Sequence, residues 1–190
     1  MPEQIQRELI KSWGRILVII PFANWRTTVQ IAILSDTHDQ IWKLDQAMPI
    51  LSTADVILHC GDLCSPFVIV RLGKGVGEKP IHVVFGNNDG DPRLLTLKAI
   101  ETGNVQIHGQ FASLELGGLR IVINHYPEIA RPIAVSQQFD LVCYGHDHTA
   151  HEEWIGSTLL LNPGELLGMN GRSSFAIFET QTRIVRWIDL

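Results

Sequence analysis

Residues 29–39 read VQIAILSDTHD. Val29 to Leu34 is a short, apolar, β-branched run, the signature of a buried strand. It passes directly into Ser35, Asp36, Thr37, His38 and Asp39, a polar loop that carries two metal-binding residue types. The same unit, an apolar strand ending in Asp, His or Asn, recurs four more times. Val56 to His59 runs into Cys60, Gly61 and Asp62. Ile81 to Phe85 ends at Gly86, Asn87, Asn88 and Asp89. Phe111 to Leu116 and Leu119 to Ile123 flank Gly117-Gly118 and read as a hairpin that ends at Asn124 and His125. Leu141 to Tyr144 ends at Gly145, His146, Asp147 and His148.

The segments between these strands set the architecture. Gln40 to Leu51 places Ile41, Leu44, Ala47, Met48 and Leu51 at helical spacing. Pro66 opens a second helix through Arg71, and the Gly-rich stretch Gly73 to Lys79 predicts a loop. Pro92 opens a third helix to about Glu101, and Pro127 to Gln137 is a short fourth. Thr158 to Leu161, Phe175 to Glu179 and Arg183 to Ile188 are expected to be antiparallel strands closing a second sheet. A βαβαβ first half followed by a mostly β second half predicts a four-layer α/β/β/α sandwich, two mixed sheets flanked by helices.

The chain has 190 residues, 45% hydrophobic and 18% charged, with a net charge of -5. That suits one domain, placed at residues 29–190. No stretch is strongly basic, so the electrostatic footprint of a stable nucleic-acid binder is missing. Three scattered cysteines, Cys60, Cys64 and Cys143, form no disulfide framework and fit a reducing, cytoplasmic setting. Residues 1–28 are read as an extension outside the fold. Their apolar run, Ile16 to Ile20, is far short of the roughly 20 residues that span a bilayer, and no small-x-small cleavage site follows it. No membrane association is expected.

Ligand sites in open α/β sheets lie beyond the carboxyl ends of the strands, where rigid elements can aim side chains closely. Five such ends on one edge gather Asp36, His38, Asp62, Asn87, His125, His146 and His148. A mixed N/O set without Cys suits borderline divalent ions such as Mn, Fe, Zn, Ni or Co and argues against a closed structural zinc site. Seven ligands are too many for one catalytic ion and fit two. Two ions clamp the attacking and leaving oxygens at phosphorus and lower the pKa of bound water toward about 7.

Each piece alone has an ordinary explanation. Asp36 and His38 fit a turn before a helix, with Asp39 as its N-cap. Gly61-Asp62 and Gly86 to Gly90 fit turns, and His125 fits a surface histidine. The ordered conjunction has no such explanation. His59 and His82 are expected in the core or behind the site. His108 and His151 are expected in loops and outside the site.

As a set, S-D-T-H-D at 35–39, G-D at 61–62, G-N-N-D at 86–89, N-H at 124–125, G-H-D-H at 145–148 and N-P-G at 162–164 resemble the calcineurin-like metallophosphoesterases, within them the small YfcE-like phosphodiesterases. The resemblance runs from about Val29 to Leu190. It implies that Asp36, His38 and His148 hold one ion, that Asn87, His125 and His146 hold the other, and that Asp62 bridges them. A hydroxide between the ions would attack a small phosphoester, a phosphodiester in the first instance. Manganese is the first expectation, with nickel, iron, zinc, cobalt or magnesium as alternatives, and related small enzymes imply a homo-oligomer.

Three positions depart from the family pattern. Asn88 stands where many relatives carry His, so it can contact phosphate but cannot transfer a proton, and the acid for the leaving group is unassigned. Tyr126-Pro127 replaces Gly-His. Glu165 follows N-P-G where Ser is common; if it faces inward to the cleft, it would repel very anionic substrates. The alternative activities are a phosphomonoesterase and, in another class, a non-catalytic interaction scaffold of the same fold, as in the retromer subunit.

Overall fold

The computed structural model describes residues 28–190, so the expected N-terminal extension lies outside the described residues except for Thr28. The strands are β1 (Gln30–Leu34), β2 (Val56–His59), β3 (Ile81–Val83), β4 (Val105–Ile107), β5 (Phe111–Leu116), β6 (Leu119–Asn124), β7 (Leu141–Cys143), β8 (His151–Ile155), β9 (Thr158–Asn162), β10 (Ser174–Glu179) and β11 (Val185–Asp189). The helices are α1 (Ile41–Leu51), α2 (Pro66–Gly75), α3 (Pro92–Thr102) and α4 (Pro127–Val135).

Two mixed sheets form, in the orders β11-β10-β1-β2-β3-β4 and β5-β6-β7-β9-β8. Strands β1 to β4 are mutually parallel, as are β6, β7 and β9. The period-2 alternation of side chains assigns each strand's two faces to different layers. Ile31 and Ile33 of β1, with Leu58 of β2, meet Ile121, Ile123, Leu141 and Cys143 between the sheets. Ala32 and Leu34 face the other way, onto Leu44 and Leu51 of α1 and Ile69 and Leu72 of α2. Val122 and Val142 of the second sheet pack under Ala130 and Ala134 of α4. The expected α/β/β/α sandwich is thus present, three helices on one outer face and one on the other.

The tail departs from expectation. Strands β10 and β11 do not close the second sheet; β10 crosses back to pair antiparallel with β1. Ser174 to Phe178 are all buried, as suits an inner strand covered on both faces. Local sequence carries no record of which edge such a strand joins. Strands β4 and β8 were not expected: β4 has three residues, and β8 reads HEEWI, with no apolar run to mark it. The Gly-rich loop is also partly helix, since α2 continues to Gly75. A Cβ on Gly75 would lie 2.6 Å from the Met48 sulfur of α1, so the missing side chain lets α1 and α2 approach. Asp39 does not cap α1; the N-cap is Gln40 without a side-chain bond, and the Asp39 carboxylate accepts from the Ser65 N–H and hydroxyl at 2.8 and 2.7 Å.

Candidate metal centre

The polar clusters follow the C-terminal ends of β1, β2, β3, β6 and β7, and both sheets deliver theirs to one edge. All seven expected residues are brought together. Asp36 Oδ1 lies 3.4 Å from His148 Nε2 and 3.8 Å from His38 Nε2, and the two ring nitrogens are 3.3 Å apart. In a second group, Asn87 Oδ1 lies 3.0 Å from His125 Nε2 and 2.8 Å from His146 Nδ1. Asp62 belongs to both: its Oδ2 is 3.5 Å from His38 Nε2 and 3.4 Å from His125 Nε2. Metal–ligand bonds of about 2.0–2.2 Å put donors on one ion roughly 2.8–3.6 Å apart. The observed separations match to within a few tenths of an ångström.

The tautomers supply an independent test of fit. His125 Nδ1–H donates to the Cys60 carbonyl at 2.8 Å, and His148 Nδ1–H donates to Glu165 Oε2 at 2.8 Å. A neutral imidazole with its N–H engaged offers only a lone pair on the other nitrogen. Those lone pairs face Asp62, Asn87 and Asp36, which are acceptors themselves. Acceptors converging on acceptors without a proton between them call for a cation. In place of a cation a proton is favoured: His38 is drawn up to about 10, chiefly by the Asp36 carboxylate and then by the Cys64 thiol. His125 is raised too, where burial opposes and Asp62 prevails. Burial pushes Asp62 up, yet with no cation between them a proton shared with His125, together with the hydrogen bonds from Asn88, holds it below the usual carboxylate range. The residues present fit a divalent-cation centre: imidazole lone pairs, carboxylates and one amide oxygen, with the outer ring nitrogens of His125 and His148 tied down as metal-ligating histidines require.

The backbone is arranged to the same end. Asp36 (φ 52°), His38 (φ 43°), Asp62 (φ 58°), His146 (φ 76°) and His148 (φ 57°) all adopt left-handed conformations, each costing on the order of 1–3 kcal/mol for a non-glycine residue. Hydrogen bonds between loops hold them there. Asp36 N–H donates to the Gly61 carbonyl and His38 N–H to the Asp62 carbonyl, both at 3.0 Å. The Asp89 carboxylate accepts from the backbone N–H of Asp62, Cys64 and Gly86 at 3.0, 2.9 and 2.7 Å. A Cβ on Gly86 would sit 2.2 Å from Asp62 Oδ1, so glycine is needed for the carboxylate to take its place. Asp89→Ala is expected to lower unfolding stability by about 3 kcal/mol, since three N–H groups lose a charged acceptor. Denaturant unfolding measures it; a change below about 1 kcal/mol refutes the bracketing role.

His125 is fully buried, so the alternative explanation as a surface histidine does not apply. His59 is buried behind the loops, as expected: its Nδ1 accepts from Gly61 N–H at 3.2 Å, its Nε2–H donates to the Thr37 hydroxyl at 2.8 Å, and burial lowers it to about 4. His82 and His108 pair with each other at 2.9 Å. His151 is in β8 rather than a loop, 3.6 Å from Glu153. Asn88 is exposed, and its Nδ2 donates to Asp62 Oδ2 at 2.8 Å. Sequence reading missed Cys64, whose thiol lies 3.4 Å from His38 Nδ1; its only signal was its place two residues after Asp62. Glu165 does not meet the condition of facing the cleft. It is fully buried behind His148 and does not line the cleft as a repulsive charge. Its signal was its position three residues beyond another parallel strand, β9. Tyr126 packs edge-on against the rings of His125 and His146, at centroid distances of 5.0 and 5.2 Å.

The chain is similar to known proteins in sequence and in fold. A phosphodiesterase, MJ0936, of Methanocaldococcus jannaschii is 31% identical over 167 residues, spanning 85% of this chain and 99% of that protein. The solved structure of an archaeal phosphodiesterase superposes with a TM-score of 0.78 at 30% identity, covering 85% of this chain and 99% of that one. The YfcE phosphoesterase of E. coli, 17% identical, covers 84% of this chain and 98% of that one with a TM-score of 0.57, which shows a common fold. The profile of the calcineurin-like phosphoesterase superfamily domain matches residues 29–183. With that match and a 31% identical relative spanned almost end to end, the chain belongs to the calcineurin-like phosphoesterase superfamily and is a metal-dependent phosphoesterase.

Proposed function

We propose that the protein hydrolyses small phosphodiesters with two divalent ions, one held by Asp36, His38 and His148, the other by Asn87, His125 and His146, with Asp62 shared. The observation that carries this reading is the position of Asp62 Oδ2, within 3.5 Å of a ring nitrogen from each group. A carboxylate so placed offsets the repulsion of two neighbouring dications. When bound, the ions supply Lewis acidity and an activated water at neutral pH.

The chain's own residues orient and hold. Asp62 is kept ionised by hydrogen bonds from Asn88, and His125 and His148, each with Nδ1–H engaged, keep the Nε2 lone pair inward. Asn88, exposed beside Asp62, is placed to turn its amide toward a phosphate oxygen. Tyr126 walls the side of the His125–His146 pair, where an aromatic face suits a planar leaving group. Among the described residues no lysine or arginine pairs with the seven, which favours a singly charged diester over a doubly charged monoester. The naming of the 31% identical relative as a phosphodiesterase supports the same preference. A scaffold role gives no reason for five left-handed backbones at the proposed ligands. The unpaired cysteines support a cytoplasmic setting.

Metal-stripped protein assayed with bis-p-nitrophenyl phosphate and p-nitrophenyl phosphate, with manganese added back, tests the reading. The diester is expected to be cleaved at least about tenfold faster in kcat/KM, a difference of about 1.4 kcal/mol between the two transition states. A monoester preference overturns the diester assignment, and hydrolysis indifferent to metal overturns the mechanism.

Asn88 bears on the leaving group. An amide cannot donate a proton to a departing alkoxide at neutral pH. Asn88→His is expected to raise kcat for poor leaving groups by about 100-fold, the lower range of general-acid catalysis, and to leave nitrophenol esters unchanged. An unaltered dependence of rate on leaving-group pKa refutes this.

A further inference from the structure

We propose that Glu165 is a positioning residue: it holds His148 in the tautomer that aims Nε2 at Asp36, and its charge makes the Asp36–His38–His148 group the first of the two to take up a divalent cation. This deepens the metal-centre reading above and rests on it.

The Glu165 side chain is fully buried. Oε2 accepts from His148 Nδ1–H at 2.8 Å, and Oε1 accepts from the backbone N–H of Asn170. Both oxygens act as acceptors, the pattern of a carboxylate. Its loop is fastened to the first ligand loop. Leu166 N–H donates to the Ser35 carbonyl at 3.1 Å, Leu167 N–H to the Asp36 carbonyl at 3.0 Å, and the Ser35 hydroxyl to the Gly164 carbonyl at 2.8 Å. The Glu165–His148–Asp36 line is therefore set by backbone contacts on both sides, and His148 cannot flip its ring without leaving Glu165 buried and unpaired.

The two groups differ in charge because of this residue and Asp36. The first has the Asp36 carboxylate, two imidazoles and, directly behind one of them, a second carboxylate that raises the basicity of its ring nitrogen. The second has an amide and two imidazoles, and His125 leans on a neutral carbonyl, that of Cys60, at 2.8 Å. Asp62 is common to both and does not discriminate. A cation therefore meets more negative charge at the first group.

Calorimetric titration of manganese into the metal-stripped full chain tests the proposal on the native sequence, Glu165→Gln and His146→Ala. Glutamine keeps an acceptor oxygen and removes the charge. The native chain is expected to bind two ions unequally. Glu165→Gln is expected to weaken the tighter one by about 10–100-fold, the usual effect of a partner behind a ligand, and to leave the weaker one within about twofold. The melting temperature of the metal-free variant stays at or above that of the native chain, because a buried charge has gone, while its rise on adding manganese shrinks. A purely structural residue gives the reverse: a lower metal-free melting temperature and an undiminished rise. That result overturns the proposal, as do equal weakening of both ions or an unchanged tighter ion. If the native chain binds no manganese, the metal-centre reading itself falls. Should Glu165→Gln fail to fold, His146→Ala decides the order: retention of one ion at the tighter affinity supports the proposal, and loss of the tighter ion overturns it.

Discussion

Asp62→Ala is expected to lower kcat for diester hydrolysis by about a thousandfold or more, with a smaller effect on folding. Asp62 is 1% exposed, and its Oδ2 lies within 3.5 Å of a ring nitrogen from each group. Its removal separates the groups into two weaker centres and removes charge from between them. A Lewis-acid centre contributes several kcal/mol to the transition state, and about 4 kcal/mol corresponds to a thousandfold. Stability responds differently. The variant loses the hydrogen bonds from Asn88 N–H and Nδ2, both 2.8 Å, but it also relieves a buried carboxylate that faces Asp36 and has no lysine or arginine partner among the described residues. These effects oppose each other, so the metal-free melting temperature is expected to change little. Asp62→Asn, which keeps an oxygen and loses the charge, should fall between. Steady-state kinetics with a melting curve in chelator checks both halves. Activity within tenfold of the native chain refutes the shared-ligand role, and a variant unfolded at room temperature shows that Asp62 is chiefly structural.

Chelation should abolish activity and lower the melting temperature by about 10–20 °C relative to manganese-saturated protein. An ion present at 100 times its Kd stabilises the folded state by about 2.7 kcal/mol. The two ions proposed above would therefore contribute about 5 kcal/mol, and a domain of this size shifts by about 2–4 °C per kcal/mol. The size of the effect follows from what the folded chain assembles in advance. Asp36, Asp62, His125 and Glu165 are all buried, and five candidate ligands adopt left-handed backbone. An unfolded chain meets none of those costs, so a cation that rewards them acts on the folded state alone. Calorimetry with and without chelator measures the shift. A change under about 3 °C, or activity that survives exhaustive chelation, refutes it.

The buried carboxylates also show what the sequence left open at two residues. Glu165 and Asp89 carry no mark in sequence that separates a cleft-facing or turn carboxylate from one turned inward. Glu165 reaches His148 because β9 lies beside β7 in the second sheet. Asp89 reaches Asp62, Cys64 and Gly86 because β2 and β3 are neighbours. Both roles depend on which strands pair, and pairing is settled by packing over the whole domain. The same reason returned β10 to the first sheet. A strand buried on both faces satisfies either sheet equally well by its own residues, and only the space beside β1 decides.

What the sequence determined by itself was the list of strand ends and the chemistry placed on them. The alternation of apolar strands with polar loops ending in Asp36, His38, Asp62, Asn87, His125, His146 and His148 is local information. Strand periodicity and residue type are both properties of a few consecutive residues. The layer order followed from the same patterning, because each strand face must find an apolar partner. The tertiary structure alone decided how the seven group, with Asp62 within reach of both, and which atoms stand behind them: Glu165 at His148, the Cys60 carbonyl at His125, Cys64 at His38. Those are contacts across 17, 65 and 26 residues of chain. They arise only when parallel strands from two sheets deliver their loops to one edge, so no window of sequence contains them.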